Sequence, residues 1–239
     1  VGMVPVAASA TGSPEKTESS VALVNGTYYD DLNEAFESAV QSNTTLTLLA
    51  DVSVSKKITI PSNATVTLDL SDFSLTCPDG FTNWNTLIEN SGSLTITGDG
   101  EIDANPGTAI HQTINNKQDA TLIIESGTII GGLFEAIHNF GGTVIINGGK
   151  IIAEKGGSRN VAINTTKGSV SISGDAAIEA AYTGIKSCGS TVTISDNASI
   201  TGQFGVVLLN EKEDNEEPGE HSSLTMTGGS IVSNGAGFA

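Results

Sequence analysis

Apolar and polar residues alternate along most of this chain in short runs that recur at a regular spacing. In residues 65–68, Val66 and Leu68 alternate with two threonines, which places both aliphatic side chains on one side of an extended segment. Each such run is therefore predicted to be a β-strand with one buried face. The first aliphatic position recurs every 22 to 32 residues, at Val66, Leu94, Leu122, Val144, Val170, Val192 and Leu224.

Two further aliphatic positions follow the first one in each repeat. The second position is occupied by Leu75, Ile102, Ile129, Ile151, Ile178, Ile200 and Ile231. The third position is occupied by Ile88, Ile110, Ile137, Ile163, Ile185 and Val207. Helices do not separate these strands, which excludes the crossover units of α/β folds. Repeats of this length bury their apolar side by stacking, so the sequence predicts an all-β solenoid, a parallel β-helix of about seven to eight coils.

The segment before the first repeat is predicted to close the N-terminal end of the stack. Residues 21–24 read as a strand that turns at Asn25 and Gly26. Asp31 and Glu34 have the spacing of a capping box, which predicts the start of an amphipathic helix. Its apolar face consists of Leu32, Ala35, Phe36, Ala39 and Val40. We expect this short N-terminal capping helix to cover the open end of the core.

A single domain is predicted for residues 21–239. Residues 21–44 form its cap and residues 45–239 its coils, of which the first is expected to be incomplete. Residues 77–85 and 210–221 are predicted excursions between strands.

The two ends of the chain carry different signals. Residues 1–10 are apolar and end in Ala8, Ser9 and Ala10, which is typical of the tail of a secretory signal peptide. Residues 11–20 are polar without periodicity and predict a flexible leader. Residues 233–239 contain no helix or charged cap, so we expect that the natural chain continues beyond Ala239 or that this end packs on another molecule. We expect the protein to be a monomer or to make end-to-end contact through this uncapped C-terminus.

The two cysteines are predicted to be free and buried. Cys77 belongs to the first repeat and Cys188 to the fifth, and strands stacked about 4.8 Å apart would separate them by roughly 19 Å. A disulfide requires Cα atoms within about 7 Å of each other.

The opening segment and the first strand resemble those of a known class of proteins. Residues 21–35 (VALVNGTYYDDLNEA) and 45–52 (TLTLLADV) are similar to segments in secreted surface proteins of Gram-positive bacteria, which have the right-handed parallel β-helix of the pectin-lyase-like superfamily. The resemblance covers residues 21–239 and implies a right-handed coil and an extracellular location, either secreted or at the cell surface.

The enzymes of that superfamily offer a comparison for catalysis. Pectate lyases combine clustered aspartates that hold calcium with arginines, and polygalacturonases carry Asn-x-Asp, Asp-Asp, Gly-His-Gly and Arg-x-Lys motifs. This chain has one arginine, Arg159, and its Asp30–Asp31 pair belongs to the capping segment. The resemblance therefore implies the fold without the catalytic motifs of either class, which favours a protein that is not an enzyme.

Charge narrows the range of partners. The net charge is −17, from 27 acidic and 10 basic residues. Such a surface repels nucleic acid and anionic membranes, and the chain contains no run of transmembrane length. Residues 210–221 contain six carboxylates, which are ligands that calcium prefers, but their spacing matches no EF-hand loop. We therefore predict that the protein has no cofactor. Calcium is the only candidate that the sequence suggests, and the signal for it is weak.

A polar column beside the third strand is the first candidate for a ligand-binding site. Each member follows the predicted buried aliphatic residue, and stacked neighbours would lie about 4.8 Å apart, so the two histidines are expected to touch. The column could bind a sugar, form a two-histidine metal site that lacks a third ligand, or be an exposed ladder without function. Its members are Glu89, His111, His138, Asn164 and Lys186, and the only tryptophan, Trp84, is added from the nearby excursion.

Two further outward columns, on the first strand of each repeat, are candidate functional sites. Asp69 and Glu125 would lie two coils apart, near the separation of the carboxylates of an inverting glycosidase. A Ser/Thr column is complete in all seven repeats and resembles the threonine arrays of ice-binding solenoids, although Ile123 and Ile145 interrupt the column beside it. Its members are Thr65, Ser93, Thr121, Thr143, Ser169, Thr191 and Ser223.

These observations favour a non-catalytic, secreted or cell-surface bacterial β-helix domain that acts as an adhesin or stalk and binds carbohydrate. Its expected partner is a host or environmental glycan or protein. A lyase or hydrolase of the pectin-lyase-like fold that acts on polysaccharides is the first alternative. An ice-binding solenoid is the second.

Overall fold

The computed structural model describes residues 12–54, 56–78, 86–104, 110–154, 160–210 and 221–235. Within these residues, the chain forms one α-helix, α1 (Leu32–Ser42), and strands β1 to β25, numbered in chain order, in three sheets. The first sheet contains β1 (Ala22–Val24), β2 (Thr27–Tyr29), β3 (Thr45–Leu48), β6 (Thr65–Asp69), β9 (Ser93–Thr97), β12 (Thr121–Ile124), β15 (Thr143–Ile146), β18 (Ser169–Ile172), β21 (Thr191–Ile194) and β24 (Ser223–Met226).

The second sheet contains β4 (Val52–Ser53), β7 (Ser74–Thr76), β10 (Glu101–Asp103), β13 (Thr128–Ile130), β16 (Lys150–Ala153), β19 (Ala177–Ala180), β22 (Ser199–Gly202) and β25 (Ser230–Ser233). The third sheet contains β5 (Ile58–Ile60), β8 (Thr86–Asn90), β11 (Gln112–Asn116), β14 (Glu135–Phe140), β17 (Val161–Thr166), β20 (Thr183–Cys188) and β23 (Phe204–Leu209). From β3 onward, the chain visits the three sheets in turn, and each strand pairs in parallel with the strand three places later. The protein is therefore a parallel β-helix, as the sequence predicts.

The predicted aliphatic columns form the interior of this coil. The column from Val66 to Leu224 is in register through seven strands of the first sheet and is buried up to Val192, with Leu224 partly buried at the last level. The column from Leu75 to Ile231 is likewise in register through the second sheet. Both columns confirm the prediction.

The third column differs from the prediction at two positions. The register places Ile114, not Ile110, between Ile88 and Ile137, and it places Val206 opposite Ile185. Ile110 is buried immediately before β11 begins. Most strands of this sheet contain two adjacent buried residues, so strict alternation does not locate their inward positions.

The first coil is complete, contrary to the prediction. Strands β3, β4 and β5 contribute one strand to each sheet. Leu46, Val54 and Ile60 of this coil are buried, because the cap covers the side that has no preceding coil.

The N-terminal cap consists of the predicted helix and a hairpin. Asp31 is the N-cap of α1, and the helix buries Leu32, Ala35, Phe36 and Ala39 against the first coil. Strands β1 and β2 form an antiparallel hairpin that also pairs β1 with β3, which covers the edge of the first sheet.

Residues 12–20 precede this hairpin in the chain and contact it. Ser13 exchanges two backbone hydrogen bonds with Tyr28, at 2.7 and 2.8 Å. The hydroxyl of the buried Ser20 lies 3.3 Å from Oδ1 of Asp30. This part of the predicted flexible leader therefore packs on the cap. The predicted signal-peptide residues 1–10 lie outside the described residues.

No disulfide joins Cys77 to Cys188, as predicted. Cys77 is buried and its sulfur lies 3.0 Å from the carbonyl oxygen of Ala104. Cys188 is only half-buried, which corrects the expectation for that residue.

Candidate functional site

A continuous row of side chains crosses the outer face of the third sheet. The register places its members opposite one another on successive strands, from β8 to β23. We call this set the outer row, and its members are Glu89, Asn115, His138, Asn164, Lys186 and Val207.

His111 does not belong to the outer row, which corrects the prediction. It precedes β11, and its ring packs edge-on against Phe134 with centroids 4.9 Å apart. Asn115 takes its place opposite His138 because Ile114 rather than Ile110 is the inward residue of that strand. The two-histidine pair is therefore not formed. The other predicted members, Glu89, His138, Asn164 and Lys186, are in register as expected, and Trp84 lies outside the described residues.

A buried polar ladder lies immediately behind the outer row. Each of its members follows an outer-row residue in sequence and points into the coil, since adjacent strand residues face opposite sides. Asn90 Nδ2 donates to Asn116 Oδ1 at 2.8 Å, Asn116 Nδ2 to Asn139 Oδ1 at 2.8 Å, and Asn139 Nδ2 to Thr165 Oγ1 at 3.0 Å. All four residues are fully buried. The ladder fixes the strands that carry the outer row.

Glu135 links two members of the outer row. It lies three residues before His138, and the two residues between them are buried, so both side chains face outward. Its Oε2 lies 2.8 Å from Nδ1 of His138, and its Oε1 accepts a hydrogen bond from Nδ2 of Asn164 at 2.6 Å. The side chain of Glu135 is only 13% exposed and that of His138 is 24% exposed. This network holds the centre of the row in a defined arrangement.

Glu89 is held at one end of the row by two lysines. Its Oε2 lies 3.2 Å from Nζ of Lys57 and 3.5 Å from Nζ of Lys117. Partial burial raises the pKa of Glu89, but the hydrogen bond from Lys57 and the charge of Lys117 outweigh it, so its pKa lies below the usual range. Glu89 is therefore an ionised group that is neutralised by its own neighbours.

Asn115, between Glu89 and His138, carries an unsatisfied acceptor. Its Oδ1 is buried and makes no hydrogen bond within the described residues. A buried carbonyl oxygen without a partner costs free energy, and such atoms are rare in folded proteins. Because the atom is enclosed, this cost is a local property of the fold.

The other end of the row borders a shallow groove of about 350 Å³. Tyr182 and Phe204 meet in it edge to face, with ring centroids 5.2 Å apart. Among the residues that the structure describes, no carboxylate lies within salt-bridge distance of Lys186, which is unusual in a chain of net charge −17. The groove is lined by Tyr182, Thr183, Lys186, Phe204 and Val207.

Sequence reasoning missed Glu135, Asn115 and the two aromatic residues of the groove. Glu135 is a polar residue three positions before His138, and that spacing indicates a shared face only when the strand bends between them. Tyr182 directly precedes β20 and Phe204 begins β23, which are successive strands of the third sheet. The recurrence of an aromatic residue at this place is a sequence signal that could have located the groove.

The columns on the first sheet are as predicted, and their carboxylates bind local donors. Asp69 and Thr97 are in register, and Glu125 follows at the next level. Asp69 Oδ1 accepts a hydrogen bond from the backbone of Ser71 at 2.9 Å, and Glu125 accepts from Nδ2 of Asn147 at 3.1 Å. The Ser/Thr column is in register across all seven repeats, from Thr65 to Ser223.

Within the described part of the chain, three or more His, Cys, Asp or Glu residues do not come together in a group that could hold a metal ion. The acidic residues 211–220 lie outside that part. The one helix of the described residues, α1, is not long and apolar enough to cross a membrane. Comparison of the chain with protein-family models, curated proteins and solved structures found no significant match.

Proposed function

We propose that this protein is a secreted or cell-surface β-helix domain of the pectin-lyase-like kind, serving as an adhesin or stalk, and that it binds a glycan without altering it. The observation that carries the proposal is the continuity between the outer row and the groove. Hydrogen-bonding side chains on successive strands lead directly to an aromatic pair, with Lys186 belonging to both.

This arrangement matches the chemistry of a sugar chain. A saccharide presents hydroxyl groups along its edges and C–H groups on its ring faces, so it is bound by polar side chains beside an aromatic surface. Parallel strands repeat about every 4.8 Å, which allows one long ligand to contact several levels of the row. A shallow site suits a polymer that lies across it.

The contacts of Glu89 in the outer row and of Glu135 beside it support binding rather than glycosidic hydrolysis. Hydrolysis by a carboxylate pair needs one free acid and one free base or nucleophile on opposite sides of the scissile bond. Glu135 is bound to His138 and Asn164, and Glu89 is bound to Lys57 and Lys117.

The acidic surface also supports an extracellular location, because net charge keeps a protein soluble and monomeric.

A glycan array followed by calorimetry with the best ligand tests the proposal. Tyr182→Ala and Lys186→Ala are each expected to weaken binding at least about tenfold, equivalent to about 1.4 kcal/mol. Thr193→Ala, on the outer face of the first sheet, is the matched control and is expected to bind normally. If no glycan binds, or if Thr193→Ala weakens binding as much, the proposed site is wrong.

Product analysis with the same glycans tests the absence of catalysis. We expect no release of reducing ends and no unsaturated products after prolonged incubation. Turnover that Glu135→Gln or Glu125→Gln abolishes would instead establish a glycan-active enzyme.

A further inference from the structure

We propose that Glu135 sets the direction of hydrogen bonding in the middle of the outer row. In this arrangement His138 and Asn164 both present acceptors, and the ligand is a neutral saccharide that offers hydroxyl donors. The ligand class rests on the proposed function, whereas the direction of hydrogen bonding is a property of the protein alone.

The first step concerns Asn164. An ionised carboxylate can only accept hydrogen bonds, so the group of Asn164 that faces Glu135 must be its amide nitrogen. The distance of 2.6 Å from Nδ2 of Asn164 to Oε1 of Glu135 agrees with such a bond. The remaining polar atom of this side chain is its carbonyl oxygen, which is an acceptor.

The second step concerns His138. Its Nδ1 lies 2.8 Å from Oε2 of Glu135, so Nδ1 carries the proton in this pair. In a neutral imidazole the other nitrogen then has a lone pair and no proton. Nε2 of His138 is therefore an acceptor whenever the ring is neutral.

The third step places these two acceptors next to each other. His138 and Asn164 occupy adjacent strands at the same register position, so their levels are about 4.8 Å apart. Hydroxyl groups can donate to both, whereas a carboxylate at these levels would place oxygen lone pairs against lone pairs.

The direction of hydrogen bonding can be measured without any ligand. Nitrogen-15 NMR of the imidazole side chains, at alkaline pH where the ring is neutral, reports which nitrogen carries the proton. The chain has three histidines, and His138→Asn identifies the signal of interest by its loss. We expect His138 to be in the Nδ1–H form, and the Nε2–H form would overturn the proposal.

Two variants of Glu135 separate positioning from folding. Glu135→Ala removes the acceptor and is expected to abolish the preference of His138 for the Nδ1–H form. Glu135→Gln retains an acceptor oxygen and is expected to preserve the preference, provided that thermal unfolding shows a folded protein. If His138 keeps the Nδ1–H form in Glu135→Ala, then Glu135 does not set the direction.

The ligand class is tested with matched oligosaccharides of one backbone, one neutral and the other oxidised to the carboxylate at C6. We expect the neutral form to bind at least about tenfold more tightly. Tighter binding of the carboxylated form overturns the ligand class while leaving the glycan-binding proposal in place. If neither form binds, the ligand class fails together with the proposed function, and the NMR result still decides the role of Glu135.

Discussion

Asn116 donates a hydrogen bond from Nδ2 to Oδ1 of Asn139 across 2.8 Å, one level apart inside the coil. The same nitrogen lies 3.3 Å from the carbonyl oxygen of Ala120 and 3.2 Å from that of Thr143. One buried side chain therefore joins two successive strands of the third sheet to the turns that lead back to the first sheet. Because this ladder lies directly behind the outer row, it supports the surface that we propose to be functional.

Asn116→Ala is expected to lower the free energy of unfolding by on the order of 3 kcal/mol, since it leaves several buried acceptors without a donor. Asn147→Ala, an exposed asparagine on the first sheet, is the control and is expected to change stability by less than about 0.5 kcal/mol. Urea unfolding followed by circular dichroism measures both. Equal losses would show that the ladder has no special contribution.

Gly184 is required for steric reasons at the bend of the third sheet. A Cβ atom at this position would lie 2.5 Å from the carbonyl oxygen of Gly205 and 2.6 Å from Cγ2 of Ile200. Gly184→Ala is therefore expected to lower stability by about 1–3 kcal/mol, because the neighbouring coil must move.

Gly131→Ala is the matched control for that substitution. Its Cβ would have no neighbour closer than 3.2 Å, so we expect a smaller loss in the same denaturant experiment. A loss at Gly131 that equals or exceeds the loss at Gly184 would contradict the steric explanation.

The sequence predicts the parts of this fold that depend on strict alternation. The columns that contain Val66 and Leu75 alternate cleanly with outward residues, so their register follows from spacing alone. The column that contains Ile137 is predicted at Ile110 instead of Ile114. In β11 the adjacent residues Thr113 and Ile114 are both buried, and a bend of this kind has no period-two signature.

A bend of the same kind in β14 explains why the sequence does not reveal the pairing of Glu135 with His138. It turns Glu135 and His138 to one side although three residues separate them, which is not the spacing of same-side residues in a regular strand. The pairing of Glu135 with Asn164 depends on the register between strands 29 residues apart. Such a contact follows from the stacking of coils and is not visible in either strand by itself.

Asp31 fixes the start of the capping helix. Its Oδ1 accepts hydrogen bonds from the backbone nitrogens of Asn33 at 2.7 Å and Glu34 at 3.2 Å. Asp31→Ala removes this N-cap and is expected to lower the free energy of unfolding by about 1 kcal/mol. Asp31→Asn retains a capping oxygen and is expected to remain close to the native stability, as measured by thermal and urea unfolding. A similar loss in both variants would mean that the charge, and not the cap, is what stabilises the helix.

Glu89 is expected to make the stability of the outer row depend on pH. Its pKa is lowered in the folded protein, where burial is outweighed by Lys57 and Lys117, so the folded state binds the proton less well than the unfolded chain does. The resulting stabilisation is present above the unfolded pKa of about 4.3 and is lost as the pH falls through the lower folded value.

Glu89→Gln is therefore expected to be less stable than the native protein at neutral pH, by less than about 1 kcal/mol, because the three side chains remain partly exposed. The difference should disappear as the pH falls through the lowered pKa of Glu89 in the folded state, since the native Glu89 then becomes neutral as well. Urea unfolding at a series of pH values measures this convergence. The control is Glu37→Gln, whose partner Lys56 is 58% exposed, so that its substitution is expected to change the stability little. A constant difference between Glu89→Gln and the native protein at every pH would mean that packing, and not ionisation, accounts for the contribution of Glu89.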